Sequence, residues 1–200
     1  MGIAERRIRQ KEEVRASILN AAWKLVEEEG WQALSIRKIA EAIEYSVPVI
    51  YDHFVNKEAI QLEFTKKGFR MLNEELAAAK AKFSKPDLQI KAIAEAYWKF
   101  SFSNKEYYQL MFGLGMPTCE TVRQIAELSS FSELILDCLR NLIAEGNNKQ
   151  ADPLLKLHTF WSMLHGHVSI SMMGTIKEPS ELNEMVLTDF IESFIAGIRS

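Results

Sequence analysis

Apolar residues recur at three- and four-residue spacing along most of this chain, and no stretch alternates apolar with polar residues as a half-buried strand would. That periodicity confines the fold to helices packed on helices. Breaking and capping residues divide it into segments. A first helix is expected over about residues 9–29, with Val14, Ile18, Ala21, Ala22, Leu25 and Val26 as its stripe and Gly30 as its stop. Two short segments open at Ser35 and Ser46. A fourth helix begins near Lys57, capped by Asn56, and runs to about Phe83, where Ser84-Lys85-Pro86-Asp87 breaks it. Helices are then expected over residues 87–102, from the capping-box spacing of Ser103 and Glu106 to Gly113, over 118–145, from Asp152-Pro153 to Met173, and from Pro179-Ser180 to the end. The fold class is all-α, with about nine helices.

Two hundred residues, 48 % of them hydrophobic, allow one large domain or a small one fused to a larger helical one. No apolar run reaches the roughly 18–20 residues that would cross a bilayer. The polar N-terminus lacks a signal core, and Cys119 and Cys138 are too few and too far apart for a disulfide framework, so a cytoplasmic location is expected. A formal net charge of −3 does not advertise nucleic acid globally. The local balance differs. Arg6, Arg7, Arg9 and Lys11 against Glu5 make the first eleven residues +3.

Residues 35–58 carry the functional signal. In the first of the two short segments Ile36, Ile39, Ala40 and Ile43 fall on one face, behind Ser35 as a cap. The second opens at Ser46, places Pro48 in its first turn, and puts Ile50 and Phe54 four apart. Val47, Val49, Tyr51 and His53 are left pointing elsewhere. Two angled helices with a non-core face on the second suit insertion into a DNA major groove.

Ser35, Ile39-Ala40, the tract from Ser46 to Ile50, then Tyr51, His53, Phe54 and Lys57 resemble the N-terminal domain of the TetR/AcrR family of transcriptional regulators. The chain departs from the family pattern at Glu44, where a turn glycine is usual, and at Val47, where a lysine or small polar residue often follows the capping serine. Further on, Trp161 with His165-Gly166-His167, and Tyr107 to Phe112 upstream, resemble the Trp…His-Gly (WHG) type of C-terminal domain in the same family. The resemblance implies a helix-turn-helix domain over residues 1–56 and a ligand-binding and dimerisation bundle over 57–200. It also implies a dimer interface built from the last two helices. Those helices are apolar on more than one face, which independently asks for burial on two sides.

Candidate DNA contacts are Ser35, Arg37, Tyr45, Ser46, Val47, Val49, Tyr51, His53 and Lys57. Tyr51 reads as a phosphate contact through its hydroxyl, against the alternative of a core-edge aromatic. Lys57 at a helix N-terminus opposes the macrodipole, which points to a phosphate partner rather than a merely solvated lysine. Arg37 reaches the DNA backbone or is a plain surface arginine. Ser46, Val47 and Val49 are the base-facing positions. Valines can touch thymine methyls but cannot read guanine bidentately, so DNA shape would share the work.

Trp98, Phe102, Tyr108, Met111, Phe112, Met116, Trp161 and His165 are candidates for an apolar effector site. Methionine and aromatic residues at helical spacing also build ordinary cores. Trp161, Leu164, Gly166, Val168, Phe190 and Phe194 are the candidate dimer contacts. No four-ligand metal spacing, glycine-rich phosphate loop or nucleophile elbow is present, so no metal, cofactor or enzymatic role is expected. The chain is expected to be a homodimeric regulator on a palindromic operator, a repressor released by a small apolar effector. The rivals are a ligand-binding or interaction protein that has lost DNA recognition, and a small all-helical enzyme.

Overall fold

The computed structural model describes residues 2–113, 125–173 and 180–200. Among these residues it contains nine α-helices, one 3-10 turn (Trp31–Ala33) and no strand. The helices are α1 (Ile3–Glu29), α2 (Ile36–Ala42), α3 (Val47–Tyr51), α4 (Lys57–Lys80), α5 (Pro86–Ser103), α6 (Lys105–Phe112), α7 (Ala126–Glu145), α8 (Pro153–Met172) and α9 (Glu181–Arg199).

Most ends sit where the capping chemistry puts them. Ser35 Oγ accepts the Lys38 N–H at 3.2 Å, and Asn56 Oδ1 accepts the Ala59 N–H at 2.8 Å. Asp152 accepts from the Leu154 N–H with Pro153 in the first turn, while Ser180 and Asn183 cap each other reciprocally. Gly30, at φ 79°, turns the chain out of α1. Three ends differ from expectation. α1 starts at Ile3 rather than near Arg9, because Glu5 accepts the Gly2 N–H and the run of Arg, Gln and Glu contains no breaker. Ser103 is the last residue of α5 rather than the opening cap of α6. Ser46 holds the extended backbone of an N-cap, but its side chain makes no capping bond.

The chain divides into two compact units, and the division falls between Lys67 and Gly68 within α4. Among the described residues the first unit comprises 2–67 and 106–113, the second 68–105, 125–173 and 180–200. In the first unit Ile18, Ala22 and Val26 of α1 are sealed together with Leu34, Ile39, Ala40, Ile50, Phe54, Ile60 and Phe64. Fully burying each large side chain contributes about 1.5–3 kcal/mol. An aromatic cluster completes this unit: the Trp23 ring stacks on Tyr107 at 4.1 Å, Phe64 and Trp31 close around them, and Trp31 Nε1–H donates to the Glu106 carbonyl at 2.8 Å. These partners tie α6 to α1 and to the first half of α4.

In the second unit α7 packs on α5, α8 and α9. Phe131 touches Phe69, Tyr97 and Trp161, and Ile135, Cys138, Leu139 and Leu142 are buried along the same helix. Asn73 Nδ2 donates to the Glu127 carbonyl at 2.7 Å, fixing the second half of α4 to the start of α7. α8 buries Leu157, Phe160, Leu164 and Val168 and leaves Leu154, Leu155 and Ile170 exposed. No helix among the described residues is long and apolar enough to cross a membrane.

Candidate nucleic-acid interface

The turn between α2 and α3 is built by backbone bonds. The Tyr45 N–H donates to the Ala40 carbonyl at 3.0 Å and the Glu44 N–H to the Glu41 carbonyl at 3.2 Å, the paired bonds of a Schellman stop. That motif needs a left-handed residue, and Glu44 supplies it at φ 58°. It is the one non-glycine residue with positive φ among those described. A Cβ there carries a penalty of about 1–2 kcal/mol.

Two buried anchors fix the orientation of α3. Ile50 and Phe54 face inward, and the Arg15 guanidinium lies 4.7 Å over the Phe54 ring while pairing with Glu63 at 3.2 Å. What remains outward is the candidate reader. Tyr45 and Tyr51 are 46 % and 52 % exposed, which is far from a core-edge placement. Ser46 is exposed, and Val47, Val49 and His53 are half-buried.

The flanking residues differ in readiness. Ser35 spends its oxygen lone pair on the Lys38 N–H but keeps its hydroxyl proton to donate. Arg37 is exposed and holds Glu41 at 2.8 Å, a contact that raises its already high pKa. Such an exposed pair is cheaply exchanged for a phosphate. Lys57 opens α4 half-buried, and no ion pair among the described residues includes it. Lys57 thus places a cation at the positive end of the α4 macrodipole, whose first turn has one N–H, that of Ala59, satisfied by Asn56.

One feature went unread in the sequence. Because α1 starts early, Arg7, Gln10, Lys11 and Val14 lie along a groove whose other wall is Tyr45, Val49, Asp52 and His53, with a volume of about 560 Å³. The available signal was the i, i+4 spacing of Arg7 and Lys11, which places both on one face once the helix is extended. His53 Nδ1 is buried with no hydrogen-bond partner among the described residues.

The candidate effector residues are divided between the units. Tyr108 and Met111 are buried in the first, where Phe112 lies 4.9 Å from Tyr108. Trp98, Phe102, Trp161 and His165 belong to the second. There Trp98 sits between Phe102 at 4.7 Å and the parallel His167 ring at 4.6 Å. Met116 lies outside the described residues. His165 is within 3.5 Å of Ser169 Oγ, and burial lowers its pKa. Burial also lowers that of His167, against the opposing pull of the Asn183 carbonyl, 2.9 Å from Nε2. A carbonyl only accepts, so Nε2 carries the proton. Among the described residues no group of three or more His, Cys, Asp or Glu is placed to hold a metal.

Of the candidate dimer contacts, Leu164, Val168 and Phe194 are buried inside the second unit, Phe194 against Phe160 at 5.3 Å. Trp161, Gly166 and Phe190 are half-buried. The apolar surface these helices leave bare is a different set: Leu154, Leu155, Ile170, Met173, Leu182, Met185 and Val186.

The comparisons with known proteins agree with this arrangement. Residues 18–64 match the model of the bacterial regulatory proteins of the tetR family, and residues 90–191 match that of the tetracyclin repressor-like C-terminal domain. The chain therefore belongs to the TetR family and is a helix-turn-helix transcriptional regulator. It is 22 % identical over 181 residues, 90 % of each chain, to YobS, an uncharacterized HTH-type transcriptional regulator of Bacillus subtilis. Similar solved structures include the TetR family regulator PfmR of Thermus thermophilus, with 23 % identity, a TM-score of 0.66 and coverage of 90 % of this chain and 97 % of that one. The regulator FadR of Bacillus subtilis in complex with stearoyl-CoA has 17 % identity, a TM-score of 0.67 and coverage of 92 % and 97 %.

Proposed function

We propose that this regulator binds a palindromic DNA operator as a homodimer, represses transcription there, and is released by a small, largely apolar effector. The first unit is the reader, with α3 in the major groove. The observation that carries this is the outward set on and beside α3: Tyr45, Ser46 and Tyr51 stand exposed while Ile50 and Phe54 are locked inward. Tyr51, Ser35 and Lys57 hold the register through phosphates, and Ser46, Val47 and Val49 meet base edges.

The bare apolar residues of α8 and α9 support pairing of two copies, which would set two readers about 34–36 Å apart on one DNA face. The effector reading rests on the methionine and aromatic residues, together with a relative held with stearoyl-CoA. α6 is the natural relay. It carries three candidate effector residues, Tyr108, Met111 and Phe112, and is fixed to α1 and α4 through Trp23, Trp31 and Phe64. An effector that prefers a shifted α6 therefore biases the reader, and operator DNA must weaken effector binding by the same factor.

A gel shift on duplex DNA over a salt series tests the reading. Binding should weaken steeply between about 50 and 200 mM salt. Lys57→Ala should weaken it on every sequence and lower the slope of the log–log plot by about one. Salt-independent binding, or none, would leave the protein a ligand-binding module without DNA recognition.

A further inference from the structure

Asp52 lies about 200° around the helix axis from the buried Ile50, and its backbone still has helical angles, so its carboxylate shares the outermost face of α3 with Pro48 and Val49. It is exposed, it lines the groove opposite Arg7 and Lys11, and none of the ion pairs among the described residues includes it. A bare carboxylate on the face that meets a polyanion is repelled by every phosphate. It gains only where the DNA offers it a proton donor.

The base edges in the major groove make that choice narrow. Guanine presents O6 and N7 and thymine presents O4, all acceptors that repel a carboxylate. Adenine offers its N6 amine beside an N7 acceptor. Cytosine offers its N4 amine with an acceptor on one side only, the O6 of its paired guanine, whereas adenine N6 lies between N7 and thymine O4. We propose that Asp52 is a specificity-determining residue that accepts a hydrogen bond from cytosine N4 in each half-site. Arg7 and Lys11, one α1 turn apart across the groove, offset its repulsion from the flanking phosphates. The proposal rests on the reading that α3 enters the major groove.

Parallel selection of binding sites from random duplexes by the wild type, Asp52→Asn and Asp52→Ala tests it. Asp52 is exposed, and both variants should fold as the wild type does by circular dichroism. The wild-type consensus should hold one cytosine per half-site that Asp52→Asn shifts toward adenine, since an amide pairs with N6 and N7 together. Asp52→Ala should lose preference at that position alone. Replacing the cytosine in one half-site should weaken the wild type roughly tenfold and Asp52→Ala less than about twofold. Identical consensus sequences for all three proteins would overturn the role of Asp52 while leaving DNA binding intact. If the wild type enriches no sequence, the DNA-binding reading falls and this inference falls with it.

Discussion

Single residues set the chemistry of the reader, and two carry stability consequences that can be measured apart from DNA. Glu44 holds a left-handed turn that glycine adopts without strain. Glu44→Gly should therefore raise stability by about 0.5–1 kcal/mol in urea unfolding. Glu44→Val, β-branched in the same conformation, should lower it. His167 gives a pH dependence. Burial depresses its folded pKa below the ordinary value of 6.5, so the unfolded chain binds the proton more readily. Its contribution is complete above about pH 6.5 and is lost as pH falls from there through the folded value. Melting temperature should decline on acidification below about pH 6.5, and His167→Gln should flatten part of that decline. His165, lowered by burial too, contributes in the same direction. Ser35, Ser46, Tyr51 and Lys57 were legible as candidate contacts because their residue types and spacing are a recognisable set. Asp52 was not, because an outward polar residue leaves no trace in hydrophobic periodicity.

At the scale of helices, the pattern of caps and breakers located nearly every described element. Ser35, Asn56, Asp152 and Ser180 each accept the backbone N–H expected of them. What periodicity could not decide was which face of an all-round apolar helix turns inward. Leu164, Val168 and Phe194 were as eligible for a subunit interface as Leu155 or Met185, and only tertiary packing assigns them to the interior. The placement of α6 was equally hidden, since it depends on Trp23, Trp31 and Phe64, far from it in sequence. Trp31→Phe removes the bond to the Glu106 carbonyl and should cost about 1 kcal/mol. If α6 is the relay, the same variant should also reduce the effect of an effector on operator affinity. Gly166 on α8 is a position where fold and the proposed assembly can be measured apart. A Cβ there meets nothing within 4 Å in the protomer. Gly166→Ala should thus stabilise the helix by about 0.8–1 kcal/mol. Against a partner helix the added methyl should raise the dimer dissociation constant, which analytical ultracentrifugation reads directly.

For the whole molecule, the all-α class and the family were legible in the chain because both helix-turn-helix and C-terminal motifs are present. The effector and operator were not, since neither is encoded by helix-forming pattern. Replacing Ile170 and Met185 together by glutamate should yield a folded monomer with much weaker operator binding, because each is 62 % or more exposed and removes apolar surface rather than core. The account stands on α3 of each of two subunits lying in the major groove. Methylation interference on a selected operator tests this most directly, since modified guanine N7 projects into the major groove and modified adenine N3 into the minor. The account predicts interference from guanine N7 in two clusters about 10–10.5 base pairs apart, or a multiple of that spacing, on one face of the duplex. Interference confined to adenine N3, or a single unpaired cluster, would contradict it.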